Sequence, residues 1–288
     1  MTPRRILIAT ESERGPAAEA GPKLLAALRA RKVDGSIWCR EADDTPPDLA
    51  DSDRIVVLGG DGAMMGVLRA LDFPETPLYG VNYGRVGFLM NPRLPPAELA
   101  QMLVDGPTIE QLFPVLVAQT LLASGEERAV RAVNDFVLER ASGQTVHLRT
   151  YIDGVLLNRY SGDGLVVATP GGSTAYSLAA GGPVVHQAVS GMLVTPLYPH
   201  RPVQFHSLQF PILLPLSSRV RVEAEDLAKR PVRLVADGSA LEGVRAIEIR
   251  DSGRPVRLLR PADYGFIDTL VNKIIGRLPT LEGTKGGG

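Results

Sequence analysis

Val56-Val57-Leu58-Gly59-Gly60-Asp61-Gly62 runs directly into Ala63-Met64-Met65-Gly66-Val67-Leu68-Arg69-Ala70-Leu71. A β-branched apolar run stops at two glycines, a carboxylate and a third glycine follow, and a helical pattern begins. That order reads as a strand, a tight turn and a helix. Glycines at such a turn let the backbone bend sharply and approach a bulky polar ligand. The free N–H groups of the helix's first turn favour an anion, so phosphate is the natural guest. Asp61 adds a negative charge at the same place. A carboxylate beside phosphates binds a cation, accepts a sugar hydroxyl, or removes that hydroxyl's proton. The plainer alternative is a cap for the helix from Met64 onward.

Outward from this turn, Ile6–Ala9 reads as a buried strand and Lys23–Arg31 as a helix with Pro22 in its first turn. Ser36–Arg40 is a weaker strand, Ile55–Leu58 a strong one, Pro77–Val81 another, and Pro96–Val104 a further helix. Strands alternating with helices predict a doubly wound, Rossmann-like parallel sheet, whose ligands gather at the carboxyl ends of the strands. The next loop, Gly80-Val81-Asn82-Tyr83-Gly84-Arg85-Val86-Gly87-Phe88-Leu89, lies at such an end. Its three glycines around Asn82 and Arg85 permit close approach to a ligand; a Gly-rich connection is the bland alternative.

From about Phe113 the rhythm changes to short, often alternating apolar runs separated by turn residues, which predicts a β-rich, mostly antiparallel half. Asn134-Asp135 interrupts an apolar run there, and two buried polar residues require hydrogen-bond partners. An amide beside a carboxylate suits adenine edges and a ribose diol. Ser161-Gly162-Asp163-Gly164 repeats the pattern of glycines around one carboxylate. Thr169-Pro170-Gly171-Gly172-Ser173-Thr174-Ala175-Tyr176-Ser177 joins a glycine turn to hydroxyls and an aromatic, a combination that can bind phosphate or ribose and stack on a base. Phe266–Ile275 is apolar at helical spacing. The expected organisation is an α/β domain over residues 1–112, a β-rich domain over 113–262, and a 263–288 segment. That segment is expected to be a helix returning to the first domain, followed by a disordered tail.

At 44% hydrophobic and 22% charged, the 288 residues have ordinary globular composition. The net charge of -1 gives no field for nucleic acid, and no dense basic run appears. A lone cysteine, Cys39, excludes an intrachain disulfide framework and fits a reducing compartment. The histidines show no metal-ligand spacing, so no metal-ligating residue is assigned. The first apolar run is too short for a signal peptide or membrane helix. The expectation is a soluble cytoplasmic protein with no nucleic-acid or membrane partner.

The succession Gly59-Gly60-Asp61-Gly62, Asn82 to Leu89, Asn134-Asp135, Gly162-Asp163-Gly164, Thr169 to Tyr176 and Ala180-Gly181-Gly182-Pro183 resembles the NAD kinase family. The Gly-Gly-Asp-Gly turn alone is shared with diacylglycerol kinases, sphingosine kinases and phosphofructokinases; Gly-Ser-Thr-Ala-Tyr in this order is far more specific. The resemblance implies ATP-dependent phosphorylation of the 2′-hydroxyl on the adenosine ribose of NAD, giving NADP. It implies that Asp61 is the catalytic carboxylate, and that Gly59, Gly60, Gly62, Asn82 and Arg85 line the nucleotide site. Asn134 and Asp135 would hold the adenosine, with Asp163, Ser173, Thr174, Ala175 and Tyr176 in the NAD pocket and Asp237 at a later acidic position. It also implies Mg²⁺ or another divalent cation and a homo-oligomer, dimer or tetramer. The chain departs from the family pattern at Ala63 (usually Thr), Asp135 (more often Glu), Ser161 (often Asp) and Gly171 (often Thr). These departures bear on donor preference and on NAD-versus-NADH selectivity.

The chemistry agrees. No Gly-x-x-x-x-Gly-Lys-Ser/Thr loop and no protein-kinase motif set occurs, which leaves the glycine turn and Asp61 as the phosphoryl-transfer machinery. The alternatives are a lipid kinase of the diacylglycerol type, which would need a membrane-facing surface, and a non-catalytic NAD(H)-binding sensor, which would retain the adenosine pocket but lose Asp61.

Overall fold

The computed structural model describes residues 3–43, 45–84, 87–200 and 205–276. Arg85 and the expected disordered tail lie outside the described residues. The chain divides into two compact units, one comprising residues up to Gln111 and from Leu258 on, the other Leu112–Arg257.

The first unit is the α/β part. Its elements are β1 (Arg5–Thr10), α1 (Pro16–Ala30), β2 (Asp34–Cys39), β3 (Arg54–Gly59), α2 (Asp61–Ala70), β4 (Leu78–Asn82), α3 (Pro96–Asp105) and β5 (Thr108–Phe113). The sheet order is β2-β1-β3-β4, then the late strand Val256–Pro261, then β5. All pairings among β1 to β4, and that of β4 with the late strand, are parallel. Both faces are covered, as a doubly wound sheet requires. Ile6, Ile8, Val56, Leu58, Tyr79 and Val81 pack with Leu24 and Leu28 of α1 and Leu99 and Leu103 of α3. The opposite face holds α2: a Cβ at Gly80 would stand 2.8 Å from Met64 Cε and 2.7 Å from Met90 Sδ.

Helix α1 begins earlier than its leucine spacing predicts. Gly15, at φ 89°, turns the chain into Pro16, which takes the helix's opening turn, and Pro22 falls inside the helix. Pro22 removes one N–H from the ladder. Packing of Leu24 and Leu28 on the sheet holds the helix across that gap. The segment Phe266–Ile275 is an α-helix to Leu270 that continues as a π-helical turn over Val271–Ile275.

The second unit is a β-sandwich. One sheet has the order Val155–Gly162, Val146–Ile152, Val220–Glu225, Val244–Asp251, Leu116–Leu122 and Glu127–Ala132. The other runs Ile212–Pro215, Gly191–Leu197, Gly164–Ala168, Asp135–Arg140, Val232–Ala236 and Ser239–Glu242. Leu148, Tyr160, Val222 and Ile249 of the first sheet meet Phe136, Leu138, Val167 and Leu234 of the second in one core. Strand alternation sends Val137, Val166 and Leu193 to the outer face of the second sheet, where Val185 joins them. Asp135 shares that face with Val137 because it lies two residues before it. The run expected as Val155-Leu156-Leu157 continues to Gly162, where the chain leaves one sheet and enters the other at Gly164. Gly164 has φ 152° and a Cβ there would overlap Leu138 O, so only glycine turns this corner.

Candidate active site

The order β2-β1-β3 places a topological switch at the carboxyl ends of β1 and β3, and Gly60-Asp61 follows β3 directly. A Cβ at Gly59 would overlap that of Ala63, so the turn closes only because residue 59 lacks one. The loop after β4 lies alongside: Tyr83 N–H donates to Gly59 O at 2.7 Å and Gly84 N–H to Asn82 Oδ1 at 2.9 Å. Asn82 thereby shapes the loop that leads toward Arg85.

Asp61 is the first residue of α2, whose cap position is Gly60, and its side chain does not cap the helix. It reaches across to the second loop instead. Its Oδ2 accepts Phe88 N–H at 2.6 Å and its Oδ1 accepts Leu89 N–H at 3.0 Å. Gly87 permits the approach, since a Cβ there would be 3.1 Å from Asp61 Cγ and closer still to Oδ1. Each carboxylate oxygen keeps a further lone pair for an incoming hydroxyl. Burial pushes the Asp61 carboxyl above the ordinary range, while the two amides, Lys273 and Arg260 pull it back. A base with a raised pKa is better matched to neutral operation.

Arg260 and Lys273 carry no signal in the motif pattern. Arg260 is fully buried and its own pKa is lowered by that burial. Its guanidinium donates to Phe88 O at 2.7 Å, Leu89 O at 3.1 Å, Asn91 Oδ1 at 3.2 Å and Gln111 Oε1 at 2.9 Å. Lys273 Nζ stands 5.2 Å from the centre of the Phe88 ring. The available signal was an arginine inside the apolar run Leu258-Leu259-Arg260.

In the second unit, the expected nucleoside-binding residues fall around one carboxylate pair. Asp135 is 6% exposed; burial first, and the nearby Asp237 charge second, push its carboxyl up to about 7, while an N–H from Tyr176 opposes them. Asp237 occupies, with Gly238, the two-residue reversal between Val232–Ala236 and Ser239–Glu242, both in the left-handed region at φ 45° and 87°. Its carboxylate accepts N–H bonds from Val133 (2.7 Å), Asn134 (2.9 Å) and Asp135 (3.1 Å). Asp237 therefore holds the Asn134-Asp135 turn in place.

The Thr169–Tyr176 turn closes on the same segment. Thr169 N–H donates to Asn134 O at 2.9 Å and Thr169 Oγ1 to Val133 O at 2.5 Å. A Cβ at Gly172 would overlap Asn134 O, so this second close approach also depends on glycine. Ser173 Oγ donates to Pro170 O at 2.6 Å and accepts Val185 N–H at 3.0 Å; Thr174 Oγ1 donates to Gly171 O at 3.1 Å. These hydroxyls shape the turn. Ala175 passes the chain into the short helix that starts at Tyr176. Tyr176 is half exposed and lines a cleft of about 500 Å³ with Asp163, Glu139, Arg140, Tyr198 and Arg233. There Arg140 pairs with Asp163 at 3.1 Å and Arg233 with Glu139 at 2.7 Å.

Family models match both halves of the chain: the ATP-NAD kinase N-terminal domain over residues 22–105 and the ATP-NAD kinase C-terminal domain over residues 133–260. The NAD kinase of Methylococcus capsulatus is 35% identical over 238 residues, 80% of this chain and 80% of that protein. The NAD kinase of Thermomicrobium roseum is 38% identical over 227 residues, 77% of this chain and 75% of that one. Among solved structures, yeast NADH kinase complexed with NADH superposes with a TM-score of 0.79 at 22% identity, covering 99% of this chain and 91% of that chain. The NAD kinase of Archaeoglobus fulgidus in complex with ATP gives 0.71 at 24% identity, covering 90% and 94%. The two structures share the fold, and the family models and curated relatives agree on the lineage: the chain belongs to the NAD kinase family.

Proposed function

We propose that this chain transfers the γ-phosphoryl group of ATP to the 2′-hydroxyl of the adenosine ribose of NAD, giving NADP and ADP. The observation that carries the reading is the Asp61 carboxylate, held by two backbone amides of a neighbouring loop and free of any capping bond to its own helix. The ribose oxygen forms a bond to the γ-phosphorus as the bond from that phosphorus to the β–γ bridging oxygen breaks, and Asp61 accepts the hydroxyl proton. Asn134 and Asp135 are assigned to the adenosine, Asp163 and the Ser173–Tyr176 turn to the rest of NAD, and Gly59, Gly60, Gly62, Asn82 and Arg85 to the nucleotide phosphates. Asp237 acts through the Asn134-Asp135 backbone.

Among the described residues, no three Asp, Glu, His or Cys side chains stand together to hold a metal ion. A divalent cation, Mg²⁺ in this reading, is therefore assigned to the triphosphate oxygens of ATP, where it would neutralise charge. We also place the enzyme in the cytoplasm as a homo-oligomer; the exposed Val155, Leu156 and Leu157 on an edge strand support a subunit contact. No described helix is long and apolar enough to cross a membrane. Family membership removes the support for a lipid kinase.

The test is Asp61→Asn, with turnover, NAD affinity and melting temperature followed across a Mg²⁺ series. A positioned base contributes roughly 10²–10⁴-fold, so kcat should fall by about that factor while NAD affinity and folding change little. Near-normal turnover would overturn the reading. Partial rescue by added Mg²⁺ would instead assign Asp61 to the cation.

A further inference from the structure

We propose that Arg260 is a positioning residue that holds the Asp61 carboxylate in its working orientation through the Phe88–Leu89 peptide group. This deepens the assignment of Asp61 as proton acceptor and rests on it.

The geometry is a relay through one peptide plane. The carbonyl of Phe88 and the N–H of Leu89 belong to the same amide. That carbonyl accepts from Arg260 Nη2 at 2.7 Å, and that N–H donates to Asp61 Oδ1 at 3.0 Å. A cation on the oxygen side of an amide polarises its N–H toward an anion on the other side, so the two bonds strengthen each other in a low-dielectric setting. A second guanidinium nitrogen, Nη1, donates to Leu89 O and to Asn91 Oδ1, which fixes the next residues of the loop as well.

Arg260 is itself held rigidly. Its side chain is fully buried, its Nε donates to Gln111 Oε1 at 2.9 Å, and its guanidinium lies 4.6 Å from the centre of the Tyr264 ring. Burying an arginine is costly unless its donors are satisfied and a counter-charge is near. The loop carbonyls satisfy the donors, and Asp61 is among the negative groups facing it. An arginine serving packing alone would not need to bond the very peptide that holds Asp61. Lysine cannot reproduce the arrangement, because its ammonium lacks the planar fork that reaches Phe88 O, Asn91 and Gln111 together.

The experiment is a double-mutant cycle with Arg260→Lys and Asp61→Asn, reading kcat, its pH profile, the KM for NAD and the melting temperature. In the parent background, Arg260→Lys should lower kcat roughly ten- to a hundred-fold, the loss expected of a misplaced reacting group. The KM for NAD should stay unchanged and the acid limb of the kcat profile should move to higher pH. In the Asp61→Asn background the same substitution should cost almost nothing further, since the group it positions has already been disabled. Equal losses in both backgrounds, or an unmoved acid limb, would overturn the proposal while leaving Asp61 as the base. Full activity of Asp61→Asn alone would remove the base assignment itself, a separate outcome. Should Arg260→Lys not fold, the cycle is run with Gln111→Met, which removes the Nε acceptor; its smaller loss must likewise vanish in the Asp61→Asn background, or the proposal fails.

Discussion

Gly87→Ala tests whether the position of the Asp61 carboxylate, rather than its mere presence, sets the rate. Gly87 is not among the positive-φ glycines, so alanine suits its backbone. The added Cβ would stand 3.1 Å from Asp61 Cγ, 3.3 Å from Met90 Cγ, and inside van der Waals contact of Asp61 Oδ1. Because carbon atoms settle at about 3.5–4.0 Å, the carboxylate must withdraw by roughly 1 Å. The obstruction is the end of a side chain with rotatable bonds, so relief comes from rotating Asp61 and not from moving the backbone. A gain from restricting the unfolded chain opposes the crowding, and net stability should change by about 1 kcal/mol or less. The rate should respond far more. The rotation breaks the bonds from Phe88 and Leu89, and a misplacement of about 1 Å at a reacting group costs on the order of 10²-fold. Steady-state kinetics with NAD and ATP, alongside a thermal melt, reads both quantities. Expected are a kcat near one-hundredth of the parent value, an unchanged KM for NAD, and a nearly unchanged melt. A folded variant turning over at the parent rate would refute the geometric argument.

Asp135→Ala should raise the KM for NAD by about ten- to a hundred-fold through loss of a charge-assisted hydrogen bond, and leave the KM for ATP alone; an unchanged KM for NAD would remove Asp135 from the adenosine site. The same residue governs a pH effect. Its carboxyl is pushed up to about 7 in the folded protein, whereas the unfolded chain releases that proton near the ordinary value of 3.8. The folded state therefore binds the extra proton in between, and stability should fall as pH rises from about 4 through about 7, by on the order of a few kcal/mol. Urea denaturation at pH 5 and pH 8 should show that slope in the parent and a flatter one in Asp135→Asn; equal slopes would remove Asp135 as its source.

Much of this fold was legible because its signals are local. The turn at Gly59-Gly60-Asp61 declares itself through a β-branched run, glycines and a helical period, all within one window. Asp237-Gly238 carries a two-residue hairpin signature too, but the resemblance marked Asp237 only as an acidic position, and the hairpin went unread. What Asp237 does was not legible, because its partners Val133, Asn134 and Asp135 lie about a hundred residues earlier. Arg260 was hidden for the same reason: its partners Phe88, Leu89 and Asn91 are joined to it only by folding. The start of α1 was misplaced because Pro22 imitates an opening residue; Gly15-Pro16, one turn and a half upstream, carries the real one. The strand continuing past Leu157 to Gly162 went unread because Asn158 and Ser161 are polar yet buried, which no alternation rule anticipates.

The late strand Val256–Pro261 lies between β4 and β5, although the ribosome makes β5 some 150 residues sooner. Synthesis proceeds at ~5–20 residues per second, so the nascent first unit waits many seconds with a gap in its sheet. During that interval the carbonyls of Phe88 and Leu89 lack the guanidinium from which they accept in the finished fold. The second unit, whose strands are contiguous in sequence from Leu116 to Asp251, has no such wait. Nascent chains released before residue 256 should thus contain a folded β-sandwich and an unfinished, silent α/β unit. Kinase activity becomes possible only once the strand Val256–Pro261 has been made, so a product truncated before it cannot act as a rogue enzyme.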